Sequence, residues 1–165
     1  MSRVVMMCGP AGSGKSTIAR ELEATGMRRL SFDQEAWQRG IRTMPLSSEA
    51  HREIEDDLRE RLSELVAVGT DVVLDFSFWS RRSRDEYRAL LRPLGVEPET
   101  YYVATPREVV LERIRRRNHD HGDDFALDDD LAASYFDHFE PPTEDEGPLT
   151  VIRTPATGPE ADHVV

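Results

Sequence analysis

Short, unbroken apolar runs alternate along this chain with longer stretches whose apolar positions recur every three or four residues. Arg3-Val4-Val5-Met6-Met7-Cys8 reads as a buried strand, and Ile18 and Leu22 then fall on one helical face. Gly26 marks the end of that helix, and Met27 to Phe32 reads as a second strand ending at Asp33. A helical turn from Gln34 to Gln38 and an irregular stretch to Pro45 follow. Ser47 or Ser48 caps a long helix with Ile54, Leu58, Leu62, Leu65 and Val66 on one side, ended by Gly69. Asp71 to Asp75 is a third strand. Ser80 opens a helix that turns Tyr87, Leu90 and Leu91 inward and stops at Pro93. Glu99 to Ala104 is a fourth strand, and Pro106 starts a helix with Val110, Leu111 and Ile114 on its apolar side. Asp128 to Phe139 reads as a further helix and Leu149 to Ile152 as a fifth strand. The expected fold class is therefore α/β, a five-stranded parallel sheet covered by helices on both faces. We expect one domain over residues 1–153 and a mobile tail over 154–165.

In such sheets ligands bind beyond the carboxyl ends of the strands. The first strand ends in Gly9-Pro10-Ala11-Gly12-Ser13-Gly14-Lys15-Ser16-Thr17, which matches the phosphate-binding pattern G-x-x-x-x-G-K-[ST], or Walker A. Strand, glycine loop and helix are the context the pattern needs, so a plain turn is a poor alternative. Backbone N–H groups of Gly9, Ala11, Gly12, Ser13 and Gly14 and the positive end of the helix would converge on phosphates. Lys15 would reach the β- and γ-phosphates, Ser16 would offer a hydroxyl to Mg²⁺, and Thr17 would complete the site. Together these imply ATP and Mg²⁺ as cofactors and a P-loop NTPase or kinase fold.

Two other strand ends resemble each other. Asp33 has Trp37 four residues on, and Asp75 has Trp79 four residues on; these are the two tryptophans of the chain. Such an aspartate can accept a proton from an attacking hydroxyl, or hold Mg²⁺ through water. Trp37, Phe78 and Trp79 could bind an acceptor by stacking, though the same rings would also serve as core. Arg113 and Arg117 stand one helical turn apart and can face one phosphate, offsetting charge in transfer; the alternative is a solvated basic face. Gly122 and its polar neighbours point to a lid over the site. His119, Asp120, His121, Asp123 and Asp124 read better as a solvated loop than as a metal site. The acidic segment from Phe139 to Glu146 has no role that its residues alone assign.

Composition narrows the partners. The formal net charge of −11 works against a broad duplex-binding surface without excluding a small basic groove. Cys8 is the single cysteine, so there is no disulfide framework. A strand at the start leaves no room for a signal peptide, and no apolar run spans a membrane, so we expect a cytoplasmic enzyme. Twenty of the twenty-one basic residues are arginine, a bias that a GC-rich coding sequence would give; Lys15 is the one exception.

Beyond the loop, the chain carries Ser31-Phe32-Asp33, Val72-Val73-Leu74-Asp75-Phe76-Ser77-Phe78-Trp79 and Leu111-Glu112-Arg113-Ile114-Arg115-Arg116-Arg117-Asn118. In their order and placement these motifs resemble the small P-loop kinases related to polynucleotide kinase, chloramphenicol phosphotransferase and the zeta toxins. The resemblance implies Asp33 as general base, Arg113 and Arg117 as lid arginines on ATP phosphates, and Asp75 as a magnesium or acceptor contact. It implies transfer of the γ-phosphate to a hydroxyl of a small molecule such as an antibiotic, nucleoside or metabolite. Polynucleotide 5′-hydroxyl phosphorylation is the alternative among enzymes, although Phe32 stands where that kinase often has a polar residue. A regulatory ATPase without an acceptor is the alternative outside them. A GTP-specific switch is the least favoured reading, because the single lysine leaves none for an Asn-Lys-x-Asp motif.

Overall fold

In the computed structural model the five strands form one sheet in the order β2-β3-β1-β4-β5, and all four neighbouring pairs run parallel. The structure describes residues 2–42, 46–120 and 128–153, with the backbone alone at 118–120. The strands are β1 (Val4–Cys8), β2 (Arg28–Ser31), β3 (Val72–Asp75), β4 (Glu99–Ala104) and β5 (Leu149–Arg153). The helices are α1 (Lys15–Ala24), α2 (Phe32–Gln38), α3 (Ser48–Ala67), α4 (Arg81–Leu91), α5 (Arg107–Asp120) and α6 (Asp129–Asp137).

The apolar run of β1 is unbroken because both its faces are covered. Val4, Met6 and Cys8 join Leu30, Val72 and Leu74 under α3 and α4, where Ile54, Leu58, Leu62, Val66, Tyr87 and Leu91 are buried. Val5 and Met7 face the other way, into Ala19, Ile18 and Leu22 of α1. A third, smaller cluster holds α5 to α6 through Val110, Ile114 and Ala132, and Ala11 of the phosphate loop packs against it. Burial pushes the Cys8 thiol up to about 12, so it behaves as a small apolar group at neutral pH.

Most helix starts follow their caps. Ser47, Ser80 and Asp128 each accept a backbone N–H from the first turn of α3, α4 and α6. One boundary differs in a way that matters. Ser31 also caps, accepting from the Gln34 N–H at 3.1 Å, so β2 stops there and α2 begins at Phe32. Asp33 therefore sits in the first turn of a helix rather than at the tip of a strand. The helix α4 ends at Leu91, and Pro93 falls in a 3₁₀ turn over Arg92–Leu94. The proposed lid glycine at 122, the polar loop from 121 to 124 and the tail from 154 lie outside the described residues.

Candidate active site

Strand order decides what surrounds the phosphate loop. With β1 at the centre, the ends of β3 and β4 flank it, bringing Asp75 to one side and Thr105 to the other. Gly12 and Gly14 take φ values of +83° and +97°, the left-handed region that glycine enters without cost. Gly14 is the N-cap of α1, which carries no side-chain cap and no acidic residue in its first turn. Its first N–H groups are thus left to the loop, the arrangement an anion needs.

The backbone of the loop is held from outside. The Thr105 hydroxyl donates to the Ser13 carbonyl at 2.7 Å and Arg113 Nη1 donates to the same oxygen at 3.3 Å. Since C=O and N–H of one peptide point in opposite directions, this directs the Gly14 N–H to the other side. The Ser13 hydroxyl is fully buried with no hydrogen-bond partner among the described residues. Lys15 is 7% exposed, at the start of α1. Gly12 serves packing: a Cβ there would lie 3.0 Å from the Val110 carbonyl oxygen and 3.0 Å from Ile114 Cγ1. Gly12→Ala is therefore expected to lift α5 from the loop and cost about 1–2 kcal/mol from the left-handed backbone alone. Urea denaturation would detect it, and an unchanged midpoint would refute this packing role.

Ser16 Oγ donates to Asp75 Oδ1 at 3.2 Å, joining the two residues expected at a metal. Asp75 is 4% exposed, and its other oxygen is held by Arg29 from β2, with Nη2 at 2.7 Å and Nε at 3.0 Å. A hydroxyl and a carboxylate oxygen are hard donors, and Mg²⁺ commonly takes one or two such groups beside phosphates and waters. The pair fits that ion, with Arg29 keeping the carboxylate turned toward Ser16.

The predicted acceptor residues separate. Asp33 is exposed on the first turn of α2. It is close enough to Tyr135 of α6 to act on that phenol, which burial and then the Asp33 charge raise above its usual value. Trp37, one turn further along α2, is half-buried with the Arg42 guanidinium 3.8 Å from its ring centroid. Phe78 is 3% exposed and packs with Phe76 and Tyr87 in the core, which leaves it little surface for a ligand. Trp79 is 53% exposed. Arg113 touches the loop, and its Nη1 would lie 3.2 Å from a Cβ on Gly14; Arg117 follows one turn on, half-buried. A cavity of about 290 Å³ opens beside Pro10 and Thr105, and its rings are Tyr102, Phe136 and Phe139. A larger hollow of about 570 Å³ is lined by β2, α2 and α3, including Arg29 and Gln34.

The sequence profile described as an AAA domain, AAA_33, matches residues 4–142. The chain belongs to the AAA_33 family. No curated protein matches it in sequence. Among solved structures, this AAA_33 protein is similar to a candidate kinase from Chloroflexus aurantiacus, with a TM-score of 0.74 and 18% identity over 93% of this chain and 88% of that one. A gluconokinase from Sinorhizobium meliloti aligns with a TM-score of 0.64 and 22% identity over 98% of this chain and 86% of the other. A chain of the Pnkp1/Rnl/Hen1 RNA repair complex aligns with a TM-score of 0.72 and 20% identity over 83% of this chain and 43% of the other. At these identities the likeness is one of fold, and the AAA_33 chain has the P-loop kinase fold.

Three residues of the site escaped the sequence reading: Arg29, Thr105 and Tyr135. The buried face of α4 was legible in principle, because Arg84, Tyr87, Arg88 and Leu91 share it and all four are buried. Among the described residues no helix is long and apolar enough to cross a membrane.

Proposed function

We propose that this AAA_33 protein is an ATP- and Mg²⁺-dependent phosphotransferase that acts on a hydroxyl of a small molecule. The observation that carries the reading is the contact of Ser16 with buried Asp75 beside a complete phosphate loop. Lys15 and the loop N–H groups bind the triphosphate, and Arg113 and Arg117 offset charge on it from α5, closing as a lid. When bound, Mg²⁺ supplies positive charge to the phosphate oxygens; Ser16 and Asp75 would hold it. Asp33 takes the proton of the acceptor hydroxyl as the oxygen–phosphorus bond forms. The bond from the γ-phosphorus to the bridging oxygen breaks, and ADP leaves with that electron pair. Asp33 then returns its proton to water.

The arginines at the start of α4 give little support to a nucleic-acid acceptor. Arg81 pairs with Asp145, Arg82 with Glu86, and Arg84 is buried against Glu146. Asp33→Asn is expected to leave nucleotide affinity nearly intact and lower transfer by about a hundredfold or more. ADP release measured across a panel of hydroxylated metabolites, antibiotics and a hydroxyl-ended oligonucleotide would test both. Stimulation by the oligonucleotide alone would reject the small-molecule reading, and full transfer by Asp33→Asn would remove the base from the mechanism.

A further inference from the structure

The acidic segment from Phe139 to Glu146 meets the loop that follows β3, and a buried ion pair ties it to α4. Arg84 and Glu146 have side chains only 1% and 2% exposed. Arg84 grips the carboxylate with both edges of its fork, Nε to Oε1 at 2.8 Å and Nη2 to Oε2 at 3.3 Å. Its remaining nitrogen, Nη1, donates to two backbone carbonyls, Phe78 at 2.8 Å and Glu140 at 2.9 Å. The carboxylate is itself oriented, accepting from the Thr143 N–H at 2.6 Å and from Arg88 Nη1 at 3.3 Å.

Phe78 is the residue this clamp holds, and its backbone is strained. At φ +46° it is the one non-glycine residue in the left-handed region among the described residues. Such a conformation persists only where the surroundings over-determine it. Here the ring is fixed in the core against Phe76 and Tyr87, and the carbonyl is fixed by Arg84. The neighbours of Phe78 on either side lead to the site. The Ser77 carbonyl accepts the N–H of Gly9, first residue of the phosphate loop, at 3.1 Å; the Trp79 carbonyl accepts the Glu140 N–H at 2.7 Å.

A buried ion pair is no strong source of stability, since an apolar pair of similar volume is often as good or better. What an apolar pair cannot do is hold the Phe78 and Glu140 carbonyls together. The geometry points to Arg84, oriented by Glu146, as a positioning residue for the phosphate loop: it locks the strained Phe78 backbone and so keeps the Ser77 carbonyl on the Gly9 N–H.

The inference rests on the loop binding a nucleotide, as proposed above, and not on any acceptor. Its test is the affinity for a fluorescent ATP analogue with Mg²⁺, measured without an acceptor. The decisive variant is Arg84→Met/Glu146→Leu, which removes both charges together and leaves Arg88 its second partner, Asp85. We expect it to fold, by circular dichroism and urea denaturation, yet to bind the analogue about tenfold more weakly, the scale of one lost hydrogen bond. In a Trp37→Phe background, where Trp79 is the only tryptophan, its emission maximum is expected to shift as its anchor loosens. Arg84→Lys keeps the charge against Glu146 but cannot span the carboxylate and both carbonyls, so it is expected to weaken binding while remaining folded. Affinity within twofold of wild type and an unshifted Trp79 emission in the folded double variant would overturn the inference. If that variant does not fold, Arg84→Lys decides by the same criterion. A wild-type protein that fails to bind the analogue would instead sink the phosphotransferase reading.

Discussion

Lys15→Arg is expected to lower phosphoryl transfer by at least about a hundredfold while leaving the fold intact. The substitution keeps the charge and follows the preference of a chain in which the other twenty of its twenty-one Lys and Arg residues are arginine. Shape is what it changes. Lys15 is 7% exposed at the start of α1, beneath a loop that Arg113 already crowds from α5, its Nη1 within 3.2 Å of where a Gly14 Cβ would stand. A compact ammonium on a flexible stem fits that space, and a planar guanidinium does not. Because Lys15 lies at a helix start whose donors are free for a ligand, the apo fold loses little, and the urea midpoint is expected to move by less than about 1 kcal/mol. Steady-state ADP release and analogue binding, measured with the midpoint, separate the two effects. Wild-type turnover in Lys15→Arg would show that charge alone suffices at this position.

The parts of this protein legible in its sequence are those dictated by local chemistry. The periodicity of Ile54, Leu58, Leu62 and Val66 gave α3, and all four residues are buried. The unbroken run in β1 gave a strand covered on both faces. The glycine loop needed no tertiary information, because its anion-binding geometry is written in consecutive residues. Asp33 was harder. Its element was misread, since Ser31 reads equally as the last residue of a strand and as a helix cap. The Arg29 contact with Asp75 joins residues 46 apart and depends on β2 lying beside β3, which no local pattern states. Thr105 meets the loop only because β4 is the other neighbour of β1. The aromatics show the same limit: a ring after a strand can turn into the core, as Phe78 does, or outward, as Trp79 does, and local sequence does not choose. The segment from Phe139 to Glu146 was opaque because its meaning lies in a partner more than fifty residues earlier in the chain.

That partner sets the second large effect. Glu146→Gln is expected to destabilise the protein by about 3–5 kcal/mol at neutral pH, since it leaves Arg84 buried beside a neutral group. The side chain keeps its shape and loses its charge, so the loss reports electrostatics more than packing. Burial by itself would raise the Glu146 carboxyl; the Arg84 guanidinium, the Thr143 N–H and Arg88 outweigh it and hold the group down to about 2, against an ordinary value of 4.5. A carboxyl depressed in the folded state contributes its stability above the unfolded value and loses it as pH falls toward the folded one. For Glu146 that window runs from about 4.5 down to about 2, and the shift corresponds to about 3 kcal/mol. Wild type therefore carries a term that fades across this range, and Glu146→Gln lacks it. Urea midpoints at pH 7, 4.5 and 3 are expected to show a wide gap between the two proteins at the first two values and a narrower one at the third. Other carboxylates titrate in both proteins, so the change in the gap isolates this one. A gap under about 1 kcal/mol at pH 7, or one that stays constant down to pH 3, would mean that Glu146 does not act through its charge on Arg84. It would also leave the strained Phe78 backbone without the anchor that the position of the phosphate loop requires.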